Sequence, residues 1–315
     1  MAPKGHVLRI SALYEGAGWL PRDDRGRIAL RGADSKAYLH GLLSNDILAL
    51  QPGGWCYATL LTPQGRMISD MRVFDLGDLL LLDLERPVTS TVVEHLEKFI
   101  ITEDVAVEDV TSTWAQLGVY GPRAQAVLDT ASADPSWTPP LYTLPGGDLG
   151  VPGVDLIVTA DSADAIGHAL ERAGGVRVDH ADVEITRVEA GIPKFLVDMD
   201  TTTIPLEAGI EDRAVSMTKG CYVGQEVIVR VLHRGGGRVA KKLVRLEVDG
   251  KAQRDDRLFD GEREIGRITS AVDSPRLGKR IALGYVHRDY VEAGTVLSAV
   301  TAEGPCRAVV RGPDP

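Results

Sequence analysis

Lys219-Gly220-Cys221-Tyr222-Val223-Gly224-Gln225-Glu226 is the run of residues best equipped for chemistry. A thiol stands between two glycines, which permit positive φ and close approach of a ligand. A lysine two positions earlier favours the thiolate, the form that attacks electrophiles and binds metals. By its neighbours alone Cys221 also reads as a small buried hydrophobe, the common fate of a free cysteine. Carboxylates are the second resource. Asp70 lies inside an extended run, Glu189 follows Arg187 in a helical one, and Asp198, Asp200, Glu207 and Glu211 crowd an irregular stretch. The histidines show no ligand spacing, although His233 lies near the thiol in sequence.

Composition narrows the classes. The 315 residues carry a net charge of −10, with 44% hydrophobic and 25% charged residues, the make-up of an ordinary globular chain long enough for two domains. An acidic chain is a poor general nucleic-acid binder. No apolar run reaches membrane-spanning length, and Met1 to Tyr14 has no apolar signal core. Cys56, Cys221 and Cys306 are far apart, with neither CxxC pairing nor zinc spacing. A reducing cytoplasm is therefore the expected home. Charge is uneven: residues 219–245 hold Lys219, Arg230, Arg234, Arg238, Lys241, Lys242 and Arg245 against one acid, Glu226. This strip reads either as a site for an anionic partner or as a solvated face.

The elements that must position these groups are of mixed type. Ile28–Gly32 reads as a strand, after which Asp34 can cap a helix through Ser35, Tyr38, Leu39 and Leu42. Tyr57–Leu61 and Met67–Phe74 flank a Thr62-Pro63-Gln64-Gly65 turn and predict a hairpin. Leu79–Leu84 is a buried strand, and Pro87 opens an amphipathic helix with Val88, Val92, Leu96, Phe99 and Ile100 inward. Strand-to-helix units recur at Ala115–Leu128 and Val154–Ala173, separated by a Pro/Gly-rich excursion, and Val183–Gly191 is helical. The glycines of Arg234–Arg238 suggest a hinge. Beyond them, short alternating runs at Lys242–Val248, Arg263–Ser270, Ile281–Val286 and Val296–Thr301 predict a small β-barrel or sandwich.

Three motifs then combine. Arg187-Val188-Glu189-Ala190-Gly191-Ile192-Pro193, Pro205-Leu206-Glu207-Ala208-Gly209 and the Lys219–Glu226 segment together resemble the folate-binding protein family called YgfZ. That family shares its fold with the aminomethyltransferase (T-protein) of the glycine cleavage system. Arg31-Gly32-Ala33-Asp34, Ser44-Asn45-Asp46, Leu61–Arg66, Gly266–Ser270 and Leu283–Val286 extend the resemblance over most of the chain. It implies a GcvT-type α/β (α+β) folate-binding body, residues 1–237, around a central tetrahydrofolate pocket, then a C-terminal β-barrel, residues 238–315.

The function implied is assistance to assembly or repair of iron–sulfur clusters in client enzymes, tRNA methylthiolation enzymes among them. The chain would act as a factor, not a high-turnover enzyme, with carrier or client proteins as partners and no direct binding to nucleic acid or membrane. Cys221 would ligate a transient cluster shared with a partner, or attack a one-carbon unit or a sulfur; Lys219 would lower its pKa. Gly220, Tyr222, Gly224 and Glu226 complete that motif. Glu207 suits the N–H edge of a pterin, with Arg187, Glu189 and Gln225 nearby, and Arg230 suits the carboxylates of the folate tail. The alternative is a tetrahydrofolate-dependent aminomethyltransferase of T-protein type, which depends on Asp70. Against it, the T-protein has an acidic pair where this chain reads Ser69-Asp70, and an arginine where it has Gln225.

Overall fold

The computed structural model describes residues 4–233 and 236–312. Arg234 and Gly235 of the expected hinge, and the side chain of His233, lie outside the described residues. The chain divides into two compact units. One comprises residues 1–23, 113–193 and 244–315, the other residues 24–112 and 194–243.

In the first unit a five-stranded sheet runs in the order Val176–Arg177, Gly18–Pro21, Trp114–Tyr120, Gly153–Thr159, Tyr142–Pro145. Its neighbours Gly18–Pro21 and Trp114–Tyr120 pair antiparallel although the whole segment 24–112 separates them in sequence. Helices Ala124–Ala131 and Ala163–Arg172 bury Val127, Leu128, Ile166 and Leu170 against this sheet's Trp19, Leu117, Val119 and Leu156. Helix His180–Glu189 starts with a capping box: Asp179 accepts from the Asp182 backbone, and Asp182 returns the bond. Strands Lys241–Val248, Arg257–Asp260, Arg263–Ser274, Lys279–His287, Val296–Thr301 and Gly304–Arg311 close into a six-stranded barrel filled by Leu246, Leu258, Ile268, Ala282, Leu297 and Ala308. The barrel expected from the sequence is present, with two strands more than its alternation revealed.

The second unit is built on a sheet of order Trp55–Leu61, Met67–Asp75, Leu80–Glu85, Arg25–Arg31, Ala106–Asp109. The hairpin registers Thr59 opposite Asp70 and Leu61 opposite Met67. Side chains alternate across a strand, so this register sorts the residues onto two faces. One face is apolar: Ile28, Leu30, Ala58, Leu60, Met71, Val73, Leu82 and Leu84 pack with Leu39 and Leu42 of helix Ser35–Leu42 and with Val92 and Leu96 of helix Thr89–Lys98. The other carries Arg25, Arg27, Tyr57, Asp70, Arg72, Asp83 and Glu85.

Several expectations shift in detail. Asp34 occupies the N-cap position but makes no capping bond; its carboxylate accepts from the Asp104 backbone at 2.8 Å. Phe99 follows the helix and is exposed. Helices Lys4–Glu15 and Gln225–His233 were not apparent in the sequence pattern. No helix among the described residues is long and apolar enough to cross a membrane.

Candidate functional site

The charged face of the second unit's sheet is a connected layer. Asp83 is fully buried and accepts from Arg25 Nε at 2.7 Å and from Arg72 Nε at 2.8 Å. Arg25 also donates to Glu85, whose other oxygen lies 3.5 Å from Lys194 Nζ. Lys194 reaches Asp24 at 3.3 Å. Two arginines, a lysine and three carboxylates are tolerated here because each charge meets an opposite one, the condition for burying ions.

Asp70 sits on the same face. Tyr57 Oη donates to its Oδ2 at 2.6 Å, and the Arg213 guanidinium lies 5.3 Å above the Tyr57 ring. Burial pushes the Asp70 carboxyl above the usual carboxylate range, opposed by the Tyr57 bond and the Arg25 charge. The same hydrogen bond, together with burial, raises the Tyr57 phenol well above its ordinary value. Ser69 lies on the opposite face of the strand, buried, its hydroxyl donating to the Asp70 carbonyl. An acid at position 69 would therefore point into the apolar side. Its absence removes no carboxylate from the charged face, which weakens that argument against aminomethyl transfer.

Glu207 belongs to the one-turn helix Pro205–Ala208. The segment before it is tied to the Asp70 strand by a bond from Met67 N–H to the Thr203 carbonyl at 2.9 Å. Its carboxylate lies 4.0 Å from Lys241 Nζ and is raised by burial, with Lys241 opposing. Glu211 is likewise raised by burial and lies 3.9 Å from Lys242.

The thiol segment forms a loop leading into helix Gln225–His233, and Cys221 is exposed. Gly224, at φ +85°, packs on the Thr62–Gly65 turn. Lys219 does not turn toward Cys221. Its ammonium is buried, donating to the carbonyls of His40, Leu43 (2.6 Å) and Asn45 (3.2 Å), and lies 4.9 Å above the Tyr222 ring. Burial pulls its pKa down to about 8, opposed by the Asp46 carboxylate. Lys219, expected to lower the Cys221 pKa, has its cation engaged by backbone carbonyls. Tyr222 is buried, its hydroxyl without a hydrogen-bond partner among the described residues. Gln225 is half-buried, while Glu226 and Arg230 are exposed.

The basic strip also dissolves as a strip. Lys219 is enclosed, Lys241 and Lys242 face Glu207 and Glu211, and Arg245 donates to the carbonyls of Glu189 (3.0 Å) and Gly312. Arg230 and Arg238 remain exposed.

Arg187 and Glu189 belong to the first unit, on helix His180–Glu189, and both are buried. Arg187 is a packing cation, donating to Glu184 Oε2 at 2.8 Å and to Ser270 Oγ of the barrel at 2.9 Å. Glu189 Oε2 accepts from Tyr14 Oη at 2.7 Å and from Arg276 Nε at 2.9 Å. Its Oε1 is buried and has no hydrogen-bond partner among the described residues. A buried carboxylate oxygen left without a donor is costly unless something fills the position. Glu207 drew more attention in the sequence, but Glu189 has the stronger signature of a ligand-reading acid. None of the three cysteines falls in a group of three or more His, Cys, Asp or Glu side chains able to hold a metal among the described residues. The residues present therefore do not fit a resident iron–sulfur cluster, which normally takes about four protein ligands.

An α/β body with an interleaved second unit and a terminal six-stranded barrel defines the glycine cleavage T-protein fold, and the comparisons agree. Residues 10–143 match the GCVT N-terminal domain and residues 241–313 the glycine cleavage T-protein C-terminal barrel domain. The crystal structure of the glycine cleavage system aminomethyltransferase T from Bartonella henselae superposes with a TM-score of 0.88, covering 98% of this chain and 89% of that one at 21% identity. In sequence the chain is 27% identical to an aminomethyltransferase of Synechococcus sp. (strain CC9311), across 93% of this chain and 86% of the relative. It is 28% identical to one of Exiguobacterium sibiricum, across 90% and 82%. The chain is thus a GcvT-like protein whose relatives at modest identity are named aminomethyltransferases.

Proposed function

We propose that this protein binds a reduced folate and passes a one-carbon unit from an aminomethyl donor to it; relatives of the chain are named aminomethyltransferases. The observation that carries this reading is the Glu189 carboxylate. One oxygen is fixed by Tyr14 and Arg276, and the other is buried with no donor among the described residues. A pterin edge offers adjacent N–H donors, the complement of such an acceptor. Glu207 is the second candidate reader, half-buried and held less tightly. When bound, a reduced folate supplies the nitrogen atoms that take up a one-carbon unit. The chain's own contribution to proton handling is Asp70: burial raises its pKa and so favours the protonated carboxyl, and Tyr57 fixes its orientation.

The test is calorimetric titration of tetrahydrofolate into the wild type, Glu189→Gln and Glu207→Gln, followed by ammonia release from an aminomethyl donor in the wild type and Asp70→Asn. Absence of folate binding to the wild type would remove the reading altogether. Binding with Asp70-dependent release would establish aminomethyl transfer.

A second reading is favoured by one observation, the exposed Cys221 on a loop that is held from below by Lys219 and Tyr222. In that reading the protein belongs to the YgfZ branch and assists iron–sulfur enzymes. Cys221 then supplies one ligand or one nucleophile, and a carrier or client protein supplies the rest. Rescue of an iron–sulfur tRNA methylthiolase in a bacterial strain lacking its own YgfZ-type protein separates the two. Loss of rescue in Cys221→Ala with Asp70→Asn active supports cluster assistance; the reverse pattern supports aminomethyl transfer.

A further inference from the structure

We propose that Lys219 is a positioning residue that fixes the Cys221 loop by closing the C-terminal end of the helix Ser35–Leu42. The inference deepens the second functional reading, since it concerns how that thiol is displayed.

The last carbonyls of a helix have no partner within it and carry its partial negative charge. Here Leu39 is answered by the Leu43 N–H. The His40 carbonyl, and those of Leu43 and Asn45 just beyond the helix, converge instead on one ammonium, Lys219 Nζ. Below the cation lies the Tyr222 ring, centred 4.9 Å away, which adds a cation–π contact in a desolvated place. Thus the residues on either side of Gly220-Cys221 are both buried in the same spot: Lys219 through its charge and Tyr222 through its ring. Cys221 and Gly220, between them, are exposed. A chain pinned two residues before and one residue after the thiol has little freedom to move it. The ammonium meets the three carbonyls and the Tyr222 ring, and the Asp46 carboxylate acts on it as well. A lysine committed to three acceptors and a ring is built to hold a loop.

The experiment uses the full chain as wild type, Lys219→Met and Lys219→Arg, read in two ways. Amide hydrogen exchange of residues 219–224 reports loop fixation, with the barrel strand Arg263–Ser274 as the folding control. Iodoacetamide alkylation of Cys221 against pH reports the thiol's acidity. The expected result for Lys219→Met is loop exchange faster by about tenfold or more, an unchanged barrel strand and an unmoved alkylation midpoint. Lys219→Arg keeps a cation able to reach the carbonyls and should hold most of the protection; it also carries the test if Lys219→Met fails to fold. Wild-type loop exchange in Lys219→Met, or an alkylation midpoint raised by about a pH unit with exchange unchanged, would overturn the proposal in favour of thiol activation. Equal loss of protection in Lys219→Arg would show that the charge is not what holds the loop. Cys221→Ala leaves the anchor intact, so failure of Cys221 in the rescue assay and failure of the anchor are read independently.

Discussion

The two glycines that flank Cys221 should respond to substitution in opposite ways. Gly224 adopts φ +85°, and a Cβ there would lie 2.5 Å from the Thr62 carbonyl oxygen and 3.0 Å from Leu61 Cβ. That oxygen already accepts from the Gly65 N–H at 2.8 Å, closing the turn between the hairpin strands, so it is backbone that cannot step aside. The left-handed conformation costs an alanine about 1–2 kcal/mol. Overpacking against fixed atoms adds about 1–3 kcal/mol. Gly224→Ala should therefore lose roughly 2–5 kcal/mol of folding free energy.

Gly220 is the contrast. A Cβ there meets nothing within 4 Å, and its φ is not in the left-handed region. Gly220→Ala should stay within about 0.5 kcal/mol of the wild type, as surface changes do. Urea unfolding followed by tryptophan fluorescence measures both. With a slope of about 1–3 kcal/mol per molar, the Gly224 variant's midpoint should fall by around 1 M or more, with the slope unchanged. Equal midpoints for Gly224→Ala and the wild type, or equal losses in the two variants, would refute the argument that only one of these glycines is demanded by the backbone.

Three further outcomes follow from the charged groups. Burial raises the Asp70 carboxyl pKa, so the folded chain holds that proton more tightly than the unfolded one; this term of stability is full at low pH, declines as pH rises past about 4, and levels off above the raised folded value. Asp70→Asn should flatten that decline in urea unfolding measured across pH, and a profile identical to the wild type would contradict it. Asp83→Asn leaves Arg25 and Arg72 buried beside a neutral group and should cost about 3–5 kcal/mol; adding Arg72→Met should recover part of it, as double-mutant unfolding would show. Glu189→Gln should weaken tetrahydrofolate binding by about tenfold or more in calorimetry, the scale of a hydrogen bond to a charged group, whereas a loss confined to Glu207→Gln would move the reader to that side chain.

What could be read ahead of the structure depended on how local the information was. The hairpin around Thr62–Gly65 and the barrel strands were legible because alternation and turn residues are properties of neighbours in sequence. Helix Gln225–His233 was hidden by its β-branched Val227-Ile228-Val229 run, which reads as a strand; tertiary burial of Ile228 decided otherwise. The charged sheet face was half visible. Arg25, Arg27, Arg72, Asp83 and Glu85 each sit at alternate positions, but their meeting depends on strand order, in which Arg25–Arg31 lies beside Leu80–Glu85 and not beside its sequence neighbour.

The sites divide in the same way. Cys221 was found because glycines and a thiol in one run carry a local signal. The partners of Lys219 were hidden because they are carbonyls of residues 40–45, about 175 positions away, and a backbone carbonyl has no letter in a sequence. Glu189 was undervalued against Glu207 for a related reason. Its distinguishing feature is a buried oxygen with no hydrogen-bond partner among the described residues, and that becomes visible only in three dimensions. Lysines and carboxylates near a motif are thus better assigned by what already satisfies them. Lys219 has its acceptors and is held; Glu189 has one oxygen to spare, which is why the folate test begins there.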